Sequence, residues 1–374
     1  MDLTASGRGI TTSVASPATS PRPWLPASIL LAATMTWAVG ATWDIQWHSD
    51  VGPDTFFTLP HLFIYASAAM SGFTSLAVIL ATTAAGRAGR TVDAALGGPG
   101  IGVFGRTFTA PLGYLVTSLG AASFLLYGLW DLWWHSLYGF DAIIDSPPHI
   151  GLFLSSTVTS VGTVIVFAAA REQRWGQLGA LVCLGNLLIS STITALAVQR
   201  LSGGTIRWTV VVTAFMALIL LITGGSLRKG GATITALVAA AMQGVFWWFA
   251  PWAARAYADF VGLPMREHIR GIPATPALIP LCLIPVGIVV DLLLRRTGHT
   301  VRLLPALAGA IGGAIVALCA PWQNILIYGG SLPVTATIIG TTVFGAIFGG
   351  LAGFLGWRFG DMLRLAAPTT GARA

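Results

Sequence analysis

Residues 43–61 read WDIQWHSDVGPDTFFTLPH, and residues 130–149 read WDLWWHSLYGFDAIIDSPPH. Both stretches run Trp-Asp-x-x-Trp-His-Ser, then Gly-x-Asp, then Pro-His, and both interrupt long apolar segments. Asp44 and His48 are four residues apart, as are Asp131 and His135, so each pair shares one helix face. Proline suits a first helical turn, where its missing N–H has no partner to lose. Pro60-His61 and Pro147-Pro148-His149 therefore predict helices that start at the far side of a short loop. The unit predicted is helix, loop, returning helix, and the chain carries it twice. Each return brings a histidine back beside an Asp-His pair, so two imidazoles and one carboxylate converge in each unit. That set suits copper, iron or zinc and leaves positions open for a small ligand.

Working outward from these units, the chain is 55% hydrophobic and 9% charged over 374 residues. A soluble domain carries about 25% charged residues, and a spanning helix needs roughly 20 apolar ones. The expected fold is an all-α, polytopic transmembrane bundle of about ten helices. The spans fall near 25–47, 59–83, 109–132, 149–170, 176–198, 208–227, 231–252, 274–294, 303–320 and 333–357. With both termini cytoplasmic, fifteen of the 20 Lys and Arg residues fall on the cytoplasmic side, as the positive-inside rule requires. The net charge of +7 thus sets orientation and does not mark nucleic-acid binding. Eight of the 13 acids and five of the six histidines fall on the opposite face, which would attract cations. Trp43, Trp47, Trp130 and Trp134 read as members of an interfacial aromatic belt.

The organisation expected is a tail over 1–23 rich in Ser, Thr, Pro and Gly, the duplicated unit over 24–174, further spans over 175–358, and a tail over 359–374. Asp50, Asp54, Asp141 and Asp145 lie in the loops of the two units, as partners of the ligands or as a cation path. Glu267 and His268 read as a solvated loop, and His299 as part of a basic one. Gln243, Asn186, Thr192, Thr194 and Asp291 are the sparse polar groups available for a path across the membrane, with Asp291 expected to pair with a nearby arginine. Cys183, Cys282 and Cys319 form no metal motif and read as core residues. Glycines at 309–313 and at 345, 349, 353 and 356 lie on helix faces, where they favour close helix packing and leave a homo-oligomer contact open.

Asp44-x3-His48-x12-His61 and Asp131-x3-His135-x13-His149 resemble the ligand pattern of the C subunit of the particulate methane and ammonia monooxygenases. The likeness covers residues 25–170 and includes the extra residue in the second gap. It implies that Asp44, His48 and His61 bind one copper and that Asp131, His135 and His149 form a second site. Asp131 departs from the family, which has Asn there. The resemblance implies O2-dependent oxidation of a small apolar substrate, and cupredoxin-like or other membrane subunits as partners. The bilayer itself is expected to be a bacterial inner membrane, with the metal sites near its extracytoplasmic face. The alternative is copper or metal handling, storage or transport without oxygenase activity. Haem ligation by the paired histidines leaves the repeated Asp unused.

Overall fold

The computed structural model describes residues 22–139, 144–196, 204–295 and 303–366. Asp141, His299 and most of the N-terminal tail lie outside the described residues. Ten helices account for about three quarters of the described chain: α1 (Trp24–Asp50), α2 (Leu59–Arg87), α3 (Leu112–Tyr138), α4 (Pro147–Ala169), α5 (Arg174–Leu196), α6 (Trp208–Leu227), α7 (Gly231–Val261), α8 (Leu283–Arg295), α9 (Leu304–Tyr328) and α10 (Thr335–Leu365). Among the described residues, nine helices are long and apolar enough to cross a membrane, so this is a multi-pass membrane protein.

Lipid is as apolar as leucine, so burial of hydrocarbon does little to bring such helices together. Close backbone approach and interhelical polar contacts do that work. A side chain at Gly120 of α3 would overlap Ser155 O and Thr159 N of α4, and one at Gly113 would overlap the Val166 backbone. Gly309 and Gly313 of α9 meet Gly349 and Gly345 of α10 in the same way. The glycine faces of α9 and α10 therefore pack against one another within the chain. Helix α10 runs through its glycines without a break, and past the start expected for the C-terminal tail at 359.

Three features differ from the sequence reading. Helix α7 has 31 residues and continues nine beyond the expected end at 252, through Pro251. The added turns carry Ala253, Ala254, Tyr257 and Ala258, which cover the end of α1. Trp43 and Trp47 are consequently buried, at 6% and 1% exposure, and do not belong to an interfacial belt. Trp43 meets Phe63, Phe249 and Tyr257 edge-on, and the Trp47 indole donates to Pro53 O at 2.7 Å. Secondly, the loop between α2 and α3 contains a short antiparallel hairpin, β1 (Gly100–Val103) with β2 (Phe108–Pro111).

Thirdly, the span expected at 274–294 is helical only from Leu283, as α8. Before it runs a non-helical strap, with one 3-10 turn at Pro276–Leu278. Pro273, Pro276 and Pro280 explain the break, since proline supplies no N–H and clashes with the preceding turn. The strap is largely buried, where unpaired backbone groups are costly. Three glutamines from three helices satisfy it. Gln46 of α1 accepts from Ala274 N at 2.8 Å. Gln243 of α7 donates to Pro276 O and Ile279 O, both at 2.9 Å. Gln323 of α9 donates to Ala277 O and Ile279 O and accepts from Leu281 N. Gln243 is thus a backbone clamp and not a step on a polar path. Asp291 accepts from Ala232 N, Thr233 N and the Thr233 hydroxyl, so it caps the start of α7; of the arginines expected near it, Arg296 and Arg302 lie outside the described residues.

Candidate metal centre

The end of α1 and the start of α2 build the first cluster. Asp44 and His48 face α2 one turn apart, and Pro60 in the first turn of α2 sets His61 opposite them. His61 Nε2 lies 3.1 Å from Asp44 Oδ1, and His48 Nε2 lies 3.8 Å from the same oxygen. The intervening loop adds Asp54. Its Oδ1 accepts from Thr55 N at 2.8 Å, leaving Oδ2 3.2 Å from His48 Nε2 and 3.4 Å from His61 Nε2. The loop holds that pose because Trp47 ties down Pro53 and Gly52 takes φ +107°, a conformation that favours glycine. Asp44, His48, Asp54 and His61 each bring one ligand atom within 4.8 Å of the others. Burial by itself would raise the Asp54 carboxyl. The His48 hydrogen bond and the nearby His61 outweigh it and hold the group below its ordinary value.

The second cluster forms at the end of α3 and the start of α4. Asp131 Oδ1 lies 3.4 Å from both His135 Nε2 and His149 Nε2, and the three ligand atoms again fall within 4.8 Å of one another. Both imidazoles are held from behind. His135 Nδ1 lies 2.9 Å from Gly139 O, and His149 Nδ1 lies 2.9 Å from the Ser146 hydroxyl. A Nδ1–H donated to the Gly139 carbonyl leaves the His135 Nε2 lone pair pointing at the cluster, the arrangement by which outer partners orient metal-binding histidines.

The geometry within each cluster is that of ligands converging on a point. Asp44 Oδ1 and Asp131 Oδ1 are buried, and among the described residues each meets two imidazole nitrogens, at 3.1–3.8 Å. Each carboxylate oxygen thus shares one small space with two imidazole nitrogens, a donor set that could hold a metal ion. Both clusters line a single cavity of about 360 Å³. Its walls are largely apolar, with Trp37, Phe124, Ile144, Leu152 and Phe153 among them, and Tyr65 stands where it interacts electrostatically with Asp44, Asp54 and Asp131. Arg266 reaches the cavity from the loop after α7, its N–H on Asp50 O at 2.8 Å and its Nε on Val51 O at 3.3 Å.

All six residues singled out by the repeat, Asp44, His48, His61, Asp131, His135 and His149, are gathered here, in two groups. Asp50 is not in either group: it ends α1 and accepts from Gln46 at 2.8 Å. Glu267 and His268 are exposed in their loop and stand apart from the clusters. The sequence reading left Asp54 outside the ligand set, although Gly-x-Asp recurs at the matching place in both copies. It missed Tyr65, whose signal was its position one turn after His61 on α2. Nothing in the sequence marked Arg266. No family model, no curated protein and no solved structure matches the chain.

Proposed function

We propose that this membrane protein binds transition-metal ions, copper before iron or zinc, at two centres near the extracytoplasmic face of a bacterial inner membrane. We further infer that it acts in the manner of a copper membrane monooxygenase C subunit, in oxidation of a small apolar substrate. The observation that carries the reading is the convergence, twice on one largely apolar cavity, of a buried carboxylate oxygen and two imidazoles whose ligand atoms lie within 4.8 Å of one another. Two His and a carboxylate match the donor preference of copper, iron and zinc. The residue spacings, shared with that family apart from Asp131, favour copper. Bound copper would supply redox chemistry with O2. The chain's own contribution is to hold the ligands, exclude water with Phe124 and Phe153, and admit an apolar molecule beside them. Partner subunits with cupredoxin-like domains would deliver electrons or metal.

A second reading rests on Asp54. With it, the first cluster offers four ligand atoms, and a four-ligand set closes a tetrahedral site and retains its ion. On that reading the protein captures or stores metal for a partner and oxidises nothing.

The test is metal content per chain, with electron paramagnetic resonance, on protein purified in mild detergent and loaded with copper. Wild type is expected to hold up to two Cu(II) with nitrogen hyperfine structure, His48→Ala to lose one share and His135→Ala the other. Negligible metal, unchanged by either substitution, would refute the proposal. Substrate-dependent O2 uptake by the loaded protein separates the oxidative reading from storage.

A further inference from the structure

A second cavity, of about 560 Å³, lies between the first turns of α6 and α10, the last turns of α9 and the strap. That volume falls within the range of about 300–1,000 Å³ typical of small-molecule sites. It sits at the same end of the bundle as the Asp/His cavity, since the strap that forms one wall is bonded to Gln46 near the end of α1. Its lining divides into two parts. Arg207, Thr209, Asn324, Tyr328, Thr337 and Thr341 supply polar groups. Val210, Leu278, Val316, Ala320 and Ile338 supply an apolar wall.

The polar part has one sign of charge. Among the described residues, Arg207 is the sole charged side chain of the lining, and no Asp or Glu contributes to it. The Arg207 N–H donates to the Thr341 hydroxyl at 3.1 Å, which ties the start of α6 to α10 and leaves that hydroxyl its own hydrogen to donate. Both helices begin at the cavity, and the dipoles of the two add partial positive charge. The strap adds no opposing charge, because Gln323 occupies the carbonyls of Ala277 and Ile279.

We propose that this cavity binds an amphiphile with one anionic head, a phosphate or carboxylate, and an alkyl chain. The head pairs with Arg207 and the threonine hydroxyls, and the chain lies along Val210, Val316, Ala320 and Ile338. A cation finds no counter-charge there, and an uncharged alcohol leaves Arg207 without a partner. The site is separate from the Asp/His clusters and does not depend on their binding metal.

The experiment uses the full chain in phosphatidylcholine nanodiscs and measures binding of radiolabelled dodecyl phosphate, with empty nanodiscs as background. Saturable uptake of about one molecule per chain is expected. Arg207→Gln, at an exposed position, should weaken it by at least about 10-fold, as loss of a charge-assisted hydrogen bond does. Ala320→Phe, which fills the apolar wall, should weaken it comparably, with helical content unchanged in both variants. Dodecanol and inorganic phosphate should compete poorly. Binding that fails to saturate, or that survives both substitutions, would overturn the proposal, as would inorganic phosphate competing as well as the amphiphile. Phosphatidylglycerol added to the nanodiscs distinguishes the source: competition identifies a membrane lipid, and its failure identifies a free amphiphile, each supporting the site.

Discussion

At the scale of single residues, the two clusters are supported differently. Both imidazoles of the second are braced through Nδ1, by Gly139 O and by the Ser146 hydroxyl. Loss of such a brace typically costs 10- to 100-fold in metal affinity. Ser146→Ala is therefore expected to weaken the second centre by about that factor and leave the first unchanged, as read by competitive chelation. The first cluster is supported by its own extra carboxylate. Asp54 is held below its ordinary value, so in the metal-free chain its stabilising contribution is present above the unfolded value, about pH 3.9. It is lost as pH falls through the lower folded value. The thermal midpoint of metal-free wild type should therefore drop more steeply in acid than that of Asp54→Asn; parallel curves would contradict the assignment. The six clustered residues were legible because their spacing is local and repeats. Asp54 was harder to read, since its reach depends on the Trp47–Pro53 bond, a contact that loop composition does not announce.

At the scale of elements, glycine sets the distance between α3 and α4 and so the width of the second cluster. Gly120 and Gly113 let the two backbones touch, and Asp131 and His135 follow about three and four turns beyond Gly120 along α3. Gly120→Leu should push the helices apart, at a cost of about 1–3 kcal/mol or more for overpacking. The second centre should lose metal while the first keeps it, measured by metal content of the folded fraction. The spans themselves were legible from apolar length, because a membrane admits few alternatives. Helix α7 ran further than its pattern suggested. Pro251 reads as a stop, but in a membrane helix its freed carbonyl can be satisfied by neighbours. The hairpin of β1 and β2 has four residues per strand, too few for alternation to show.

At the scale of the whole molecule, the two units face one cavity, and the C-terminal helices finish it. Helix α7 covers Trp43 and Trp47, while Arg266 spans the end of α1. A chain ended after residue 174 is expected to retain metal at the second centre, built wholly on α3 and α4, and to lose the first. Quenching of the Trp43 and Trp47 fluorescence by aqueous acrylamide should rise in parallel. The need for those later helices could not be read from the repeat, which is complete by residue 149. The strap has a consequence for how the protein is made. Helix α8 has 13 residues, about 20 Å of helix against a hydrocarbon core of about 30 Å. Alone it is a poor candidate for partitioning sideways out of a translocation channel. The carbonyls before it are satisfied by Gln243, already synthesised, and by Gln323, not yet synthesised. That segment must wait, partly unpaired, until α9 arrives, which couples integration of α8 to that of α9.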